Sequence, residues 1–402
     1  MRRLIYIFII GLLLCSYTWA DGSRYASNSL LSEGKWVKIR VDKTGIYKLS
    51  YADLKNMGFS DPSKVSVHGY GGWPLDEDFS KEYIDDVPST PVWRGSDYLL
   101  FYGKGSVKWE YDSSSQTFVH TNNPYSLYGY YFVTDATPTN DMTSVAQASG
   151  ASTRITTYDD YLLHEQELVS VNQSGREFFG EDFSGARTRT ISSFSSIPGI
   201  TDADGKVTMR FISRINSGSG TASLSINDSE LLDITIPSIQ TVSSNVRSYT
   251  KAIPGTTTAL WKGSKSEKNN VVVSYSSSGH TNVRLDYIRM QFVRTLRPYG
   301  ACTFFRSLTS VGNASRFVIS EANSNTLVFD VTDALNVKRV EADLNGSELS
   351  FTIPAGRLRE FVLVQTNQTF PSPEVVGEVA SSNLHGLEQR DMIIISLSLI
   401  HI

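Results

Sequence analysis

Cys302 is the first residue to weigh, because the chain holds only two cysteines and the other, Cys15, lies in an apolar N-terminal run. A thiolate nucleophile needs a base close by and an electropositive setting. Cys302 sits instead in Ala301-Cys302-Thr303-Phe304-Phe305, an apolar and aromatic stretch that predicts a buried, inert thiol. The histidines that could serve it are His68, His120, His164, His280 and His385. None is its neighbour in sequence, and no two stand at the i, i+4 spacing by which a helix presents a metal-binding pair. Structural or surface roles are expected for all five. His385 is the most interesting, since loops at the ends of α/β sheets often shape sites.

The carboxylates read the same way. Asp76-Glu77-Asp78 with Asp85-Asp86 could offer oxygens to a divalent cation, but the glycine and ligand spacing of a calcium loop is missing, so a solvated loop is expected. Asp202-Ala203-Asp204-Gly205 has no Glu at the right distance and reads as a hairpin turn. Gly69-Tyr70-Gly71-Gly72 and Gly103-Lys104-Gly105 lack the Lys-Ser or Lys-Thr ending of a phosphate loop and are expected at turns. Trp73, Trp93, Trp109, Tyr125, Tyr128, Tyr130 and Tyr131 could stack on sugars if held in an exposed row. In a strand-rich domain such aromatics more often form core and cross-strand pairs. No catalytic, cofactor-binding or metal-binding residue is assigned, and no cofactor is expected.

The elements that position these residues are mostly strands. In Trp36-Val37-Lys38-Ile39-Arg40-Val41, the residues Val37, Ile39 and Val41 share one face and Lys38 and Arg40 the other. Asp42-Lys43-Thr44-Gly45 predicts a turn with Gly45 at positive φ, and Ile46-Tyr47-Lys48-Leu49 returns. Ser50 caps a short helix with Asp53 completing the reciprocal box, and Gly58 ends it in the left-handed conformation. Further strands are expected over 65–68, 96–103, 207–211, 222–226, 271–275, 283–290, 316–319, 326–331 and 360–364. Residues 136–157, rich in Thr, Ser, Ala and Asn, suit a linker or exposed loop.

A chain of 402 residues exceeds one ordinary core. The net charge of −4, with no basic stripe, argues against nucleic acid as a partner. Arg2-Arg3, the apolar run Leu4 to Leu14 and the small-residue site before Asp21 form a cleaved secretory signal, too short for a membrane span, and the mature chain is expected to have none. Near the end, Asp391-Met392-Ile393-Ile394-Ile395 suits a strand buried on both faces, the start of a truncated α/β domain. The fold class is therefore mainly β: a β-rich N-terminal domain at 21–150, an antiparallel sandwich or jelly roll at 151–300, a small sandwich at 301–372, then a linker and that first strand at 373–402. An orphan apolar strand aggregates, so trimming after about residue 380 is expected to improve solubility.

Several segments together resemble the sortase component of the type IX secretion system of Bacteroidetes, a gingipain-like cysteine peptidase family. They are Gly34 to Val41, Thr44 to Leu49, Asp61 to Val65, Asp97 to Gly103, Ser174 to Glu181, Leu285 to Ile288, Asp330 to Asp333 and Asn383 to Leu387, in the same order over nearly the whole mature chain. The resemblance implies a protein at the outer membrane and cell surface that removes C-terminal sorting domains from exported cargo and attaches the cargo to the surface. Its partners would be the secretion machinery and that cargo. In the family, the catalytic His and Cys lie in a caspase-like α/β domain after the Asn-Leu-His-Gly-Leu segment. No position here matches them, so this chain is expected to be a non-catalytic N-terminal region, inert by itself. The alternative is a surface β-sandwich module that binds glycan or peptide.

Overall fold

The computed structural model describes residues 25–78, 80, 84–171, 175–239, 252–277, 280–388, 391, 392 and 394. The expected secretory signal lies outside these residues, as do Ile393 and Ile395 of the terminal run. Met392 and Ile394 are exposed and outside any strand, so the described part of that run is not the strand buried on both faces that its apolar residues suggested. In chain order the strands are β1 (Trp36–Val41), β2 (Gly45–Ser50), β3 (Ser66–Gly71), β4 (Ser89–Thr90), β5 (Val92–Arg94), β6 (Tyr98–Gly103), β7 (Val107–Asp112), β8 (Thr117–Asn122) and β9 (Gly129–Thr134), with helix α1 (Tyr51–Asn56) after β2. Then come β10 (Ser144–Val145), β11 (Thr153–Ile155), β12 (Thr157–Glu165), β13 (Thr188–Thr190), β14 (Gly205–Ile215), β15 (Ser219–Ile226), β16 (Ser229–Pro237), β17 (Ile253–Trp261), β18 (Val271–Ser276) and β19 (His280–Thr295). The last are β20 (Cys302–Phe305), β21 (Ser315–Ile319), β22 (Thr326–Asp330), β23 (Lys338–Val340), β24 (Asp343–Asn345), β25 (Glu348–Ile353), β26 (Phe361–Gln365) and β27 (Glu374–Val379).

The chain is mainly β, and its sheets pack in three pairs. The first pair sets β27-β1-β9-β3-β4 against β2-β6-β5. Val37, Ile39 and Val41 enter its core as the alternation requires, with Leu49, Leu99 and Phe101 opposite. Ser50 and Asp53 form the reciprocal cap of α1, and Gly58 takes φ +92° just beyond the helix. Gly45 departs from expectation: it opens β2 without a positive φ, because 42–44 complete the turn before it. The glycines of Gly69-Tyr70-Gly71-Gly72 are not turn residues either. Gly69 and Gly71 run along β3 where its register with β9 shifts, and a Cβ at Gly69 would stand 2.9 Å from the Tyr130 carbonyl oxygen. Close backbone approach, rather than chain reversal, demands glycine there.

The second pair is a jelly-roll-like sandwich of β12-β19-β14-β17 on β13-β18-β15-β16, all antiparallel. Its core is built from one face of each sheet, including Phe211, Leu224, Val273 and Ile288. The third pair sets β10-β23-β22-β26-β20 against β11-β21-β25-β24, with Phe305, Phe317, Phe351 and Phe361 clustered between them. β10 and β11 pair parallel with β23 and β21, the exceptions to antiparallel pairing among the named strands.

Two expectations about connections are overturned. Residues 136–157 are no linker, since β10 and β11 complete edges of the third pair. Residues 374–379 are no exit linker, because β27 returns to cover the edge of β1 (Trp36 opposite Val379, Arg40 opposite Glu374). An uncovered β1 would leave a ladder of open N–H and C=O groups. Beyond β27, Ser382 N donates to Leu31 O at 3.0 Å and Ser29 N to Asn383 Oδ1 at 2.9 Å. A cut at 380 would therefore remove folded contacts.

Candidate functional site at the junction of the three sheet pairs

The largest chemistry-bearing assembly lies where the three sheet pairs meet, around a cleft of about 530 Å³. Its centre is Arg306, which follows β20 and is only 2% exposed. Arg306 Nε and Nη2 donate in a fork to the two carboxylate oxygens of Glu360, just before β26. Nη1 donates to the Asp159 carbonyl oxygen at 2.9 Å and lies 3.7 Å from Asp160 Oδ1. The other Asp160 oxygen accepts from Arg294 Nη1 of β19 at 2.8 Å. Burial pushes the Glu360 carboxyl up, and Arg306 opposes that rise.

Aromatic rings wall this network. The Arg306 guanidinium carbon stands 4.2 Å from the centre of the Tyr161 ring, a cation–π distance. Tyr161 stacks in turn on Trp109 at 4.0 Å and 18°. Trp109 belongs to the β7–β8 hairpin, a two-stranded sheet that leaves the first pair and lies on the second. Phe118 N donates to Gln291 Oε1 at 3.0 Å, and His120 Nε2 lies 3.2 Å from Glu165 Oε2. Thus the β7–β8 hairpin contributes Trp109, the second pair Asp160, Tyr161 and Arg294, and the third Arg306 and Glu360.

Cys302 borders the same cleft, within an apolar cluster shared by Ile46, Leu100, Tyr102, Val331 and Val362. Burial pushes its thiol up to about 12, so it stays protonated at neutral pH. The thiol is held as a packing group, in keeping with the apolar stretch that carries it.

The remaining candidates are dispersed. His68 is buried against Ser66 and Thr137, with Nε2 2.8 Å from Thr137 Oγ1, and burial lowers its pKa. His164 lies between Ser193 and Glu181. His280 opens β19, and His385 Nδ1 stands 2.9 Å from the Ala26 carbonyl oxygen. Glu77 pairs with Arg176 at 2.8 Å, whereas Asp85 and Asp86 accept from Ala26 N and Leu30 N, fastening the segment ahead of β1. Among the described residues no group of three His, Cys, Asp or Glu side chains could hold a metal. Asp202 accepts from Lys265 N at 2.8 Å, so the segment before β14 is tied to 263–265 rather than forming a hairpin between paired strands. Lys104 is buried with Nζ 3.5 Å from the centre of the Tyr70 ring, and burial, reinforced by Lys108, brings its amine down to about 7. Trp73, Trp109 and Tyr131 are spent on packing and hydrogen bonds. Tyr128 and Tyr130 lie under Arg40 and Lys38, and Tyr125 is 78% exposed.

Sequence reasoning passed over Arg306, Glu360 and Asp160. The signal was there: Arg306 directly follows Phe304-Phe305, and Asp159-Asp160 interrupts an otherwise apolar-aromatic strand. A charge in such company must find a partner or be expelled.

No family model and no curated protein matches the chain. Among solved structures, dimeric latent PorU from Porphyromonas gingivalis aligns over 91% of this chain at 33% identity and a TM-score of 0.81. The chain is a PorU-like N-terminal portion. It spans 35% of that PorU chain, about a third of its length. A carbohydrate-binding module, CBM35 from Cellvibrio japonicus Abf62, aligns over 34% of this chain and 97% of its own at 15% identity, with a TM-score of 0.18, too low to bear on the fold.

Proposed function

We propose that this chain is the N-terminal region of a type IX secretion system sortase, non-catalytic toward cargo, in a secreted protein acting at the cell surface. In this reading the peptidase chemistry that removes C-terminal sorting domains and attaches cargo belongs to a gingipain-like domain, and the sheet pairs orient that domain toward the secretion machinery and its cargo. The observation that carries the reading is the 33% identity to PorU maintained over 91% of the chain. Two features of the chain support it. Its one described cysteine is a neutral, packed thiol, unsuited to peptide cleavage. Its strongest polar assembly is fully paired, as a rigid joint requires.

The test has two arms. In the native host, disrupting the gene should leave exported cargo with its C-terminal domain uncut; cargo that is still processed and surface-attached would remove the sortase reading. In solution, the purified chain should leave a cargo protein bearing that domain intact over hours. Cleavage there would show that the region is itself catalytic.

A further inference from the structure

Ser193 stands on a single 3₁₀ turn, Ser192–Phe194, that follows β13. The next residue, Phe194, is fully buried and anchors the turn, whereas Ser193 faces solvent. Ser193 Oγ lies 2.8 Å from His164 Nδ1, and His164 Nε2 lies 2.7 Å from Glu181 Oε1. The side chains behind the serine are 10% and 15% exposed. His164 is set by the β12–β19 ladder opposite Ile288, and its ring meets Phe194 edge-on at 6.3 Å. Glu181 is held through its backbone, since Leu285 N donates to Glu181 O at 3.1 Å.

These contacts fix the protons. Burial acts to raise the Glu181 carboxyl, but the hydrogen bond from His164, with Arg189 nearby, brings it below its usual range. An ionised carboxylate can only accept, so Nε2 carries the imidazole proton. In the neutral imidazole, Nδ1 then presents its lone pair to the Ser193 hydroxyl. Nucleophile, base and orienting acid stand within hydrogen-bond reach in the order that acyl transfer uses.

We propose that Ser193, His164 and Glu181 form a nucleophile–base–acid relay that hydrolyses short-chain acyl esters. Ser193 Oγ attacks the ester carbonyl carbon while its proton passes to His164 Nδ1. Collapse of the tetrahedral adduct breaks the acyl–oxygen bond, and the leaving alkoxide takes the proton from His164. Water then attacks the acyl-serine, giving its proton to His164, and the carboxylic acid departs as Ser193 recovers its proton. No redox partner or metal enters the balance. Because Ser193 is exposed, a small activated ester reaches its hydroxyl directly from solvent.

The experiment uses the full chain with p-nitrophenyl acetate at neutral pH, reading p-nitrophenolate release and acetyl transfer by peptide mass mapping. The wild type should acquire acetyl on Ser193, and Ser193→Ala should lower turnover by at least about 100-fold. Ser193 is exposed, so that variant keeps its fold. Ser193→Cys supplies a second readout: paired with His164, its thiol should react with iodoacetamide at least ~10-fold faster than free cysteine. Glu181 is a positioning residue, so Glu181→Gln should lower kcat while leaving KM unchanged, and Glu181→Asp should recover part of the loss. The proposal is overturned by equal turnover in wild type and Ser193→Ala, by acetyl found elsewhere but never on Ser193, or by an ordinary thiol in Ser193→Cys. Ester hydrolysis is read separately from cargo cleavage, so either result leaves the sortase reading where it stands.

Discussion

The guanidinium of Arg306 is withdrawn from water and survives because every face of it is used, by Glu360, by the Asp159 carbonyl and by Tyr161. Removing one partner of such a pair strands the other, which costs about 3–5 kcal/mol, whereas replacing both with apolar groups can be near neutral. Arg306→Met should therefore destabilise the chain by that amount in chemical denaturation, and Arg306→Met with Glu360→Leu by much less. Equal losses in the two would show that the fork carries no coupling. Asp286 gives a pH-dependent counterpart. Burial pushes its carboxyl up to about 6 from 3.8, although Arg210 donates to it, and Glu165 and Glu177 add to the rise. A carboxyl whose folded pKa is raised binds its proton more tightly in the folded state, so its contribution is fully present below the unfolded pKa and is lost as pH rises through the folded one. Relative to Asp286→Asn, the wild type should lose on the order of 3 kcal/mol between pH 3.5 and 6.5. Parallel stability curves for the two proteins would refute this.

At the scale of elements, the β7–β8 hairpin is the piece most dependent on its surroundings. Two strands alone are marginal in water, and this hairpin is held on the second sandwich by Trp109 on Tyr161, Gln291 to Phe118 and Lys206 to the Gln116 carbonyl. Trp109→Ala should cost about 2–4 kcal/mol and make residues 105–123 the first site of limited proteolysis; unchanged protection there would mean that the hairpin is held by its polar contacts alone. Much of this level was legible in the sequence. The alternation of Trp36–Val41, the Ser50–Asp53 cap and Gly58 all act through neighbours a few residues away, so local reading reaches them. Gly69 and Gly71 were misread as turn residues because what requires glycine there is Tyr130 and Tyr131 of β9, some sixty residues downstream. The Ser193–His164–Glu181 relay and the Arg306 fork escaped for the same reason, since each joins residues that only the completed sheets bring together.

Over the whole molecule the three sheet pairs are interlaced in chain order. The chain leaves the first pair after β9, lays β10 and β11 into the third, builds the entire second, returns to finish the third and closes the first with β27. Composition and turn signals showed the strands but not this path, because a two-residue strand such as β10 has no period to read. Such long-range pairing slows folding and makes the first and third pairs depend on each other. Residues 157–295 hold a complete sandwich and should fold alone, with a cooperative thermal transition; residues 25–150 lack β27 and should not. A cooperative transition in 25–150 would show that β27 is dispensable. The closing pair also has a mechanical meaning. Trp36 faces Val379 and Arg40 faces Glu374, so the chain enters β1 and leaves β27 at the same end of an antiparallel ladder. Tension between the flanking segments would peel that ladder open one rung at a time, as a zipper opens, and would not load its hydrogen bonds together. Under load, the first part of the molecule to yield is the clasp that joins its two ends.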